Sequence, residues 1–292
     1  DKLVEQYKNR PNVGMIIVEH SYVRREGRVN NHQLGIYDES HIAGLGKLAH
    51  TIRENGSLAV IQISHGGSAS KSHILGRSAF APSEVKHPGR DIDEIPTALV
   101  KDDLKELKRA FVKAALRAKK AGFNIVELHG AHGYLLNQFM SPLTNKRDDE
   151  YGGSLKNRMR FPLEIVRSVN GAVGRKFPIA YRLGCDDFLP GGITVEDAVK
   201  ASKMLEDAGV DLLDLSGGLK GYDVGEDEEG FFVYLGEAIK PEVNVPVIVT
   251  GGIETPEYAN KIVKEGKTDL VGVGRAMLKD KNWAKKAVKK LK

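Results

Sequence analysis

The alternation of short apolar runs with amphipathic helical segments constrains the fold of this chain more than any other sequence feature. Seven such runs lie along almost the whole chain, at 13–18, 58–63, 124–128, 178–183, 210–215, 246–250 and 269–273. Nearly continuous hydrophobic runs bounded by turn residues are typical of parallel strands that are covered on both faces. Between the runs, apolar residues such as Leu104, Leu107 and Phe111 recur at helical spacing. The pattern therefore predicts an α/β fold built from seven βα units.

Two architectures accommodate such a right-handed repeat, a (β/α)8 TIM barrel and an open doubly wound sheet. We favour the barrel because no glycine fingerprint follows the first run, as a dinucleotide-binding open sheet requires. Polar and glycine-rich residues instead follow many of the runs, which is where barrels place their chemistry. Only seven of the eight strands are identifiable, since the chain opens on a helical segment. We expect that the N-terminal strand either precedes this sequence, is absent or is supplied otherwise. We predict a single domain over residues 1–292.

Composition excludes several classes of protein. With 292 residues, 41% of them hydrophobic, the chain is expected to be a soluble globular protein with a substantial core. No apolar run approaches the roughly 20 residues of a membrane span, so no membrane partner is expected. The net charge of +5 is concentrated in 279–292, which argues against a nucleic-acid surface. A lone cysteine, Cys185, excludes an internal disulfide and a four-cysteine iron–sulfur cluster, and favours a cytoplasmic location.

Glycines follow the last two predicted strands. Gly251 and Gly252 come after the sixth run, and Gly274 and Arg275 come after the seventh. Loops after strands seven and eight of a TIM barrel commonly bind phosphate, because glycine lets backbone N–H groups approach the oxygens and arginine pairs with the anion. The alternative is that the glycines only make tight turns and that the arginine is a surface residue. We favour the phosphate site.

A histidine pair follows the third predicted strand. His129 and His132 are three residues apart, and Tyr134 comes two residues later. A metal site with His65 as a third ligand is one interpretation, but the spacing is not that of a zinc-binding HExxH helix. Two imidazole donors beside a phenol suit the binding of an anion or a carbonyl group, and we favour this interpretation and predict no metal.

Two polar residues interrupt otherwise apolar strands. Gln62 stands in the second run and needs a hydrogen-bond partner if it is buried. Arg182 stands in the fourth run, where a charge at the mouth of a barrel faces either a ligand or a structural ion-pair partner. We predict that Arg182 contacts a ligand, and for Gln62 a buried structural amide is an equal alternative.

Longer motifs resemble the Old Yellow Enzyme family of FMN-dependent ene-reductases, in the branch that contains enoate reductases, 2,4-dienoyl-CoA reductases and NADH:flavin oxidoreductases. The resemblance covers essentially the whole chain. The matching stretches include GMIIVEHSYVRREGR, IQISHGG, HGAHGYLLNQFMSPLTNKRDDEYGGS, VIVTGGI and VGVGRAMLKDKNW. It implies a TIM barrel that holds FMN across its strand ends. It also implies an enzyme that takes hydride from NADH or NADPH and reduces activated C=C bonds of α,β-unsaturated carbonyl or carboxyl compounds.

The resemblance also implies roles for the site residues. Gln62 would bind the pyrimidine edge of the flavin, and Arg182 would stabilise the negative charge of the reduced ring. The flavin phosphate would be held by Gly251, Gly252, Gly274 and Arg275.

The remaining roles concern the substrate. His129 and His132 would hold the oxygen of an unsaturated small-molecule substrate, and Tyr134 would supply a proton. The chain departs from the family at His20, where a small residue is usual at the flavin edge. A homo-oligomer is a further expectation. The rival interpretations are a truncated or engineered barrel fragment without turnover and a phosphosugar aldolase or isomerase barrel.

Overall fold

A computed structural model describes residues 2–222, 224 and 228–292 of the chain. Its strands in chain order are β1 (Met15–Tyr22), β2 (Leu58–Ser64), β3 (Phe80–Ala81), β4 (Thr97–Ala98), β5 (Ile125–Gly130), β6 (Ile179–Gly184), β7 (Leu212–Ser216), β8 (Val247–Val249) and β9 (Leu270–Val271). In the described part of the chain, seven of these strands pair in parallel in the order β1-β2-β5-β6-β7-β8-β9, and β3 and β4 form a separate pair. The seven strands form a curled, partial barrel.

Helices connect the strands and cover the outer face of the sheet. They are α1 (Lys2–Tyr7), α2 (His41–Glu54), α3 (Ser72–Leu75), α4 (Lys101–Lys120), α5 (Leu135–Met140), α6 (Leu155–Arg158), α7 (Arg160–Val173), α8 (Val195–Asp207), α9 (Val233–Ile239), α10 (Pro256–Lys264), α11 (Arg275–Lys279) and α12 (Trp283–Lys290). The apolar residues predicted to lie on one helical face, Leu104, Leu107 and Phe111, are buried on α4. Among the described residues, no helix is long and apolar enough to cross a membrane.

All seven predicted strands are confirmed, and the predicted α/β class with them. The first strand differs most, since it begins at Met15 and continues to Tyr22, beyond the predicted end at residue 18. Its pairing with β2 is irregular between Val18 and Ser21, so Glu19 and His20 lie in a bulge before the ladder resumes. Bulges re-aim side chains, which matters for the site described below. The opening helix predicted from the first residues is also confirmed, as α1.

The inner face of the sheet carries two layers of side chains. An apolar layer contains Val60, Ile125, Ala180, Leu212 and Ile248. Strand side chains alternate between faces, so the residue two positions further along each strand points to the same interior. On four strands that residue is polar, and these four define the polar layer: Gln62, Glu127, Arg182 and Asp214. The polar layer therefore lies nearer the carboxyl ends of the strands.

The two edges of the curled sheet, at β1 and β9, are linked by residues that lie outside the strands. In the described residues, β1 pairs with β2 and β9 pairs with β8, and the two outer strands do not pair with each other. Arg10, which follows α1, is buried and donates from Nη1 to the backbone oxygen of Met277 in α11, at 2.8 Å. This bond links the N-terminal segment to the C-terminal helices.

Candidate active site

Every strand of the partial barrel ends at the same edge, because the strands are parallel. The structure brings all of the predicted site residues to that edge. They are Gln62, His129, His132, Tyr134, Arg182, Gly251, Gly252, Gly274 and Arg275. The histidines and the tyrosine lie at or just after the end of β5, and the glycines follow β8 and β9. The turns and the aromatic side chains therefore lie at the same edge of the sheet.

Three rings converge after β5. The ring centroid of His129 lies 4.9 Å from that of His132 and 4.8 Å from that of Tyr134. The turn that achieves this has left-handed backbone at His132 (φ 57°) and Gly133 (φ 69°). A non-glycine residue in this region is uncommon and marks a constrained position. His132 Nε2 is 2.7 Å from Ser216 Oγ at the end of β7, which fixes its ring.

Both histidines are neutral at neutral pH. Burial, reinforced by nearby cationic groups that include Arg182 and Arg90, holds the pKa of His129 and of His132 well below the ordinary value of 6.5. A neutral imidazole carries one N–H donor and one acceptor nitrogen. His129 Nδ1 is buried without a hydrogen-bond partner among the described residues. The pair therefore offers hydrogen bonds to a ligand without placing positive charge on the rings.

Tyr134 is the phenol of the cluster, and it is only 7% exposed. Burial raises its pKa, and Arg90 opposes that shift. The Arg90 guanidinium lies 5.2 Å from the Tyr134 ring centroid and donates from Nη2 to the backbone oxygen of His132 at 2.8 Å. The phenol is consequently protonated at neutral pH and can donate its proton.

The polar layer beneath these rings is linked across neighbouring strands. Gln62 Nε2 donates to Glu127 Oε1 at 2.6 Å, across the register pair of β2 and β5. Arg182 Nε lies 3.4 Å from Asp214 Oδ2, across β6 and β7, but outside hydrogen-bond geometry. Gln62 therefore has the buried hydrogen-bond partner that the structural-amide interpretation requires. Its carbonyl oxygen remains available for a second contact.

Glu127 is the most perturbed member of the polar layer. Burial, followed by the neighbouring Asp214, raises the pKa of the Glu127 carboxyl above its ordinary value of 4.5. Burial also raises the pKa of Asp214, and Arg182 opposes that shift. We conclude that Glu127 is the neutral member and that Asp214 carries the charge paired with Arg182.

Glu127→Gln is expected to remove a pH dependence of stability. Because the folded-state pKa of Glu127 is raised, its stabilising contribution is present at low pH and is lost as pH rises through that pKa. One proton gives a slope of about 1.4 kcal/mol per pH unit. Urea unfolding between pH 6.5 and 8 measures the free energy of unfolding of both proteins, and the titration of histidines in the unfolded state affects the two proteins alike. As pH rises across this range, the free energy of unfolding of the wild type should fall relative to that of Glu127→Gln; equal slopes would mean that Glu127 is ionised.

The glycine turns differ from each other. Gly251 has φ 112° and Gly252 has φ 65°, and a Cβ on Gly251 would lie 2.8 Å from the Phe232 backbone nitrogen. These two glycines are therefore required by the turn itself. Gly274 and Arg275 are exposed, and a Cβ on Gly274 would meet nothing within 4 Å. Free space thus remains around the second turn.

The described residues contain no group of three or more histidine, cysteine, aspartate or glutamate side chains arranged to hold a metal ion. His65, the third ligand of the metal interpretation, is buried, and its Nδ1 accepts from the backbone N–H of Gly67 at 3.1 Å. Burial also lowers the pKa of His65, to about 3. The geometry gives the metal interpretation no support.

Comparison with known proteins decides the family. The model of the NADH:flavin oxidoreductase / NADH oxidase family matches residues 1–292. This chain belongs to that family. It is 43% identical to a NADH oxidase of Thermoanaerobacter brockii over 295 residues, and 38% identical to a NADPH dehydrogenase of Bacillus cytotoxicus over 279 residues. These alignments cover 98% and 96% of this chain, but 45% and 79% of the two relatives.

A solved structure agrees with this assignment. The old yellow enzyme homologue from Zymomonas mobilis superposes with a TM-score of 0.85 at 26% identity, over 99% of this chain and 83% of that one. The resemblance to the Old Yellow Enzyme family and the TIM-barrel-like fold are therefore confirmed. The chain spans less than half of the NADH oxidase, so the activity of a whole protein of this type remains a proposal for it.

Members of the NADH:flavin oxidoreductase family use a flavin and a nicotinamide, and the site of this chain fits FMN. Arg182 and His129 each have a buried nitrogen without a partner among the described residues. Arg182 belongs to the polar layer, which also contains the Gln62 carbonyl oxygen, and His129 lies at the end of β5. The exposed turn at Gly274 and Arg275 leaves space for a phosphate. A ring with hydrogen-bonding edges and a phosphate tail matches this donor set.

Several residues of this flavoprotein site were missed by sequence reasoning. Glu127 and Asp214 stand inside apolar runs, and neither was among the predicted site residues. A charged residue two positions after a buried apolar one, on the same face of a strand, is the signal that could have found both. Arg90 comes from the long connection between β2 and α4, and no local pattern places it over Tyr134.

Proposed function

We propose that this chain is a flavin-dependent ene-reductase domain that reduces activated C=C bonds of α,β-unsaturated carbonyl or carboxyl compounds. The observation that carries the proposal is the convergence of two neutral, buried imidazoles and one buried, protonated phenol at the mouth of the barrel. A site that adds hydride and proton across an alkene needs donors for the oxygen and a separate acid for carbon. The three rings supply both.

The histidines bind the substrate oxygen in this proposal. Negative charge develops on that oxygen as the β-carbon accepts hydride, and preorganised N–H donors in a buried site stabilise such charge. Removing one donor of this kind typically costs about 10²–10³ in rate. Ser216 holds the His132 ring, and the left-handed turn at His132 holds its backbone, so the donors need no rearrangement.

The polar layer and the turns hold the cofactor in this proposal. Gln62 and Arg182 would contact the ring, and Gly251, Gly252, Gly274 and Arg275 would hold the phosphate. Bound there, FMN would supply the hydride for the alkene, with NADH or NADPH as the reductant. Because the Gln62 amide nitrogen donates to Glu127, the Gln62 oxygen would be the acceptor for the ring.

Cofactor binding and turnover test the proposal directly. The purified chain mixed with FMN should quench flavin fluorescence, and anaerobic NADH or NADPH should then bleach the yellow colour. Addition of an enone should restore it. Arg182→Gln should weaken FMN binding, whereas Arg109→Gln, at an exposed position on α4, should not. A chain that binds no FMN, or one that is bleached but not reoxidised by any enone, would contradict the proposal and favour a barrel fragment without turnover.

A further inference from the structure

His20 reaches the aromatic cluster from a neighbouring part of the sheet. The bulge between Val18 and Ser21 aims its ring at the site. The ring centroid lies 5.1 Å from that of Tyr134 and 5.9 Å from that of His129. His20 Nε2 is 3.4 Å from Tyr134 Oη. The side chain therefore contacts the proposed acid itself, although neither the fold nor the proposed reaction gives it a role so far.

The proton of His20 can be assigned from a neighbouring amide. Gln33 Oε1 accepts from the backbone N–H of Val29 at 2.7 Å, and Gln33 Nε2 donates to the backbone oxygen of His20 at 3.1 Å. These two bonds fix which end of the Gln33 amide is nitrogen. The same Nε2 lies 2.7 Å from His20 Nδ1. Because an amide nitrogen only donates, Nδ1 must be the acceptor, and in the neutral ring the proton is on Nε2.

The neutral state of the ring is consistent with its surroundings. Burial, with Arg90 and Arg182 acting in the same direction, lowers the pKa of His20 to about 4. Protonation of Nδ1 would also set two donors against each other at the Gln33 contact. At neutral pH the His20 ring therefore holds one proton, on the nitrogen that faces Tyr134.

We propose that His20 is a positioning residue that donates from Nε2 to Tyr134 Oη and thereby leaves the phenolic proton free for the substrate. This inference rests on the proposed function, in which Tyr134 is the acid. If the ring held its proton on Nδ1, Tyr134 would donate to Nε2 and its proton would be directed away from the substrate. Gln33 selects the productive arrangement.

The donation also favours the proton transfer itself. In that step the O–H bond of Tyr134 breaks, a C–H bond forms at the α-carbon of the substrate, and a phenolate remains until solvent returns a proton. A hydrogen bond to a charged oxygen is shorter and about twice as strong as one to a neutral oxygen. The contact, which is 3.4 Å with the neutral phenol, is thus expected to tighten as the phenolate forms.

The first experiment measures the tautomer without relying on activity. Long-range ¹H–¹⁵N NMR of the ¹⁵N-histidine-labelled chain distinguishes protonated from unprotonated ring nitrogens, and the His20→Gln spectrum assigns the His20 signals by their loss. We expect Nδ1 to be unprotonated and Nε2 to be protonated at pH 7, and we expect Gln33→Met to populate the other tautomer. A proton on Nδ1 in the wild type would overturn the proposal.

The second experiment measures flavin reoxidation by an enone in the FMN-loaded chain. His20→Leu should slow this half-reaction by about 10- to 100-fold, since a hydrogen bond to a charged group is worth about 1.5–3 kcal/mol. His20→Gln, which keeps a donor, should recover most of the rate. In a Tyr134→Phe background His20→Leu should have no further effect. The same slowing in that background would show a merely structural role and overturn the proposal.

The two proposals fail in different ways. If the wild type is reoxidised by enones and Tyr134→Phe is impaired, but His20→Leu behaves as the wild type, only the role of His20 is wrong. If the wild type is not reoxidised by enones, the proposed function is wrong, and the role of His20 is wrong with it. The NMR result then still reports whether Gln33 fixes the tautomer.

Discussion

Replacing Tyr134 with phenylalanine should slow the reoxidation of reduced flavin by an enone about 10²- to 10⁴-fold, the usual contribution of a positioned general acid. Reduction of the flavin by NADH or NADPH should be unchanged, because hydride transfer from a nicotinamide needs no proton from the protein. The buried phenol is held protonated at neutral pH and is therefore a competent donor. Anaerobic stopped-flow measurement of the two half-reactions separates the effects.

The variant is a conservative one, which makes this result interpretable. Phenylalanine keeps the ring that packs edge-on against His129 and His20, so FMN affinity and the free energy of unfolding should match those of the wild type. Equal slowing of both half-reactions would mean that Tyr134 positions the flavin or the ligand and is not the acid.

The second large effect is expected at Arg182. Arg182→Met should destabilise the chain by about 3 kcal/mol at pH 7, because removing one partner of a buried ion pair leaves an uncompensated charge. That charge is on Asp214, which is 1% exposed and already has a raised pKa. The loss should shrink as pH falls and Asp214 becomes protonated. Urea unfolding at several pH values provides the measurement.

Two variants control for loss of side-chain packing at Arg182. In Arg182→Met with Asp214→Asn the buried charge is gone, and most of the lost stability should return. Arg109→Met removes an exposed arginine that pairs with Glu106 on α4, and such pairs contribute about 0–1 kcal/mol. A double variant as unstable as Arg182→Met alone would show that packing, and not the buried charge, dominates.

Much of the fold could be predicted from sequence because each strand is specified by its own short segment of the chain. The seven strands are apolar runs, and their order in space follows their order in the chain. The end of β1 could not be predicted, since the irregularity between Val18 and Ser21 exists only in the pairing with β2. Nor could β3 and β4, which have two residues each and therefore show no periodicity.

The candidate site could likewise be predicted from sequence only in part. Residues at strand ends, such as His129 and Arg182, could be placed at one edge because parallel strands share that edge. Contacts between distant segments could not be predicted. Gln62 binds a glutamate 65 positions away, and Tyr134 contacts a histidine 114 positions away. Such pairs depend on strand register and on a bulge, which are properties of the folded sheet and not of any one segment.

The burial of the strongest sequence motif has a practical consequence for protein engineering. Every side chain of β5 and of α5 is buried, so random substitutions there would mostly yield unfolded protein and say little about chemistry. Tyr222 is 54% exposed, and its ring centroid lies 5.3 Å from that of His132; Arg90 is also exposed. A library aimed at a new substrate range should therefore vary this accessible rim and leave the inner wall intact.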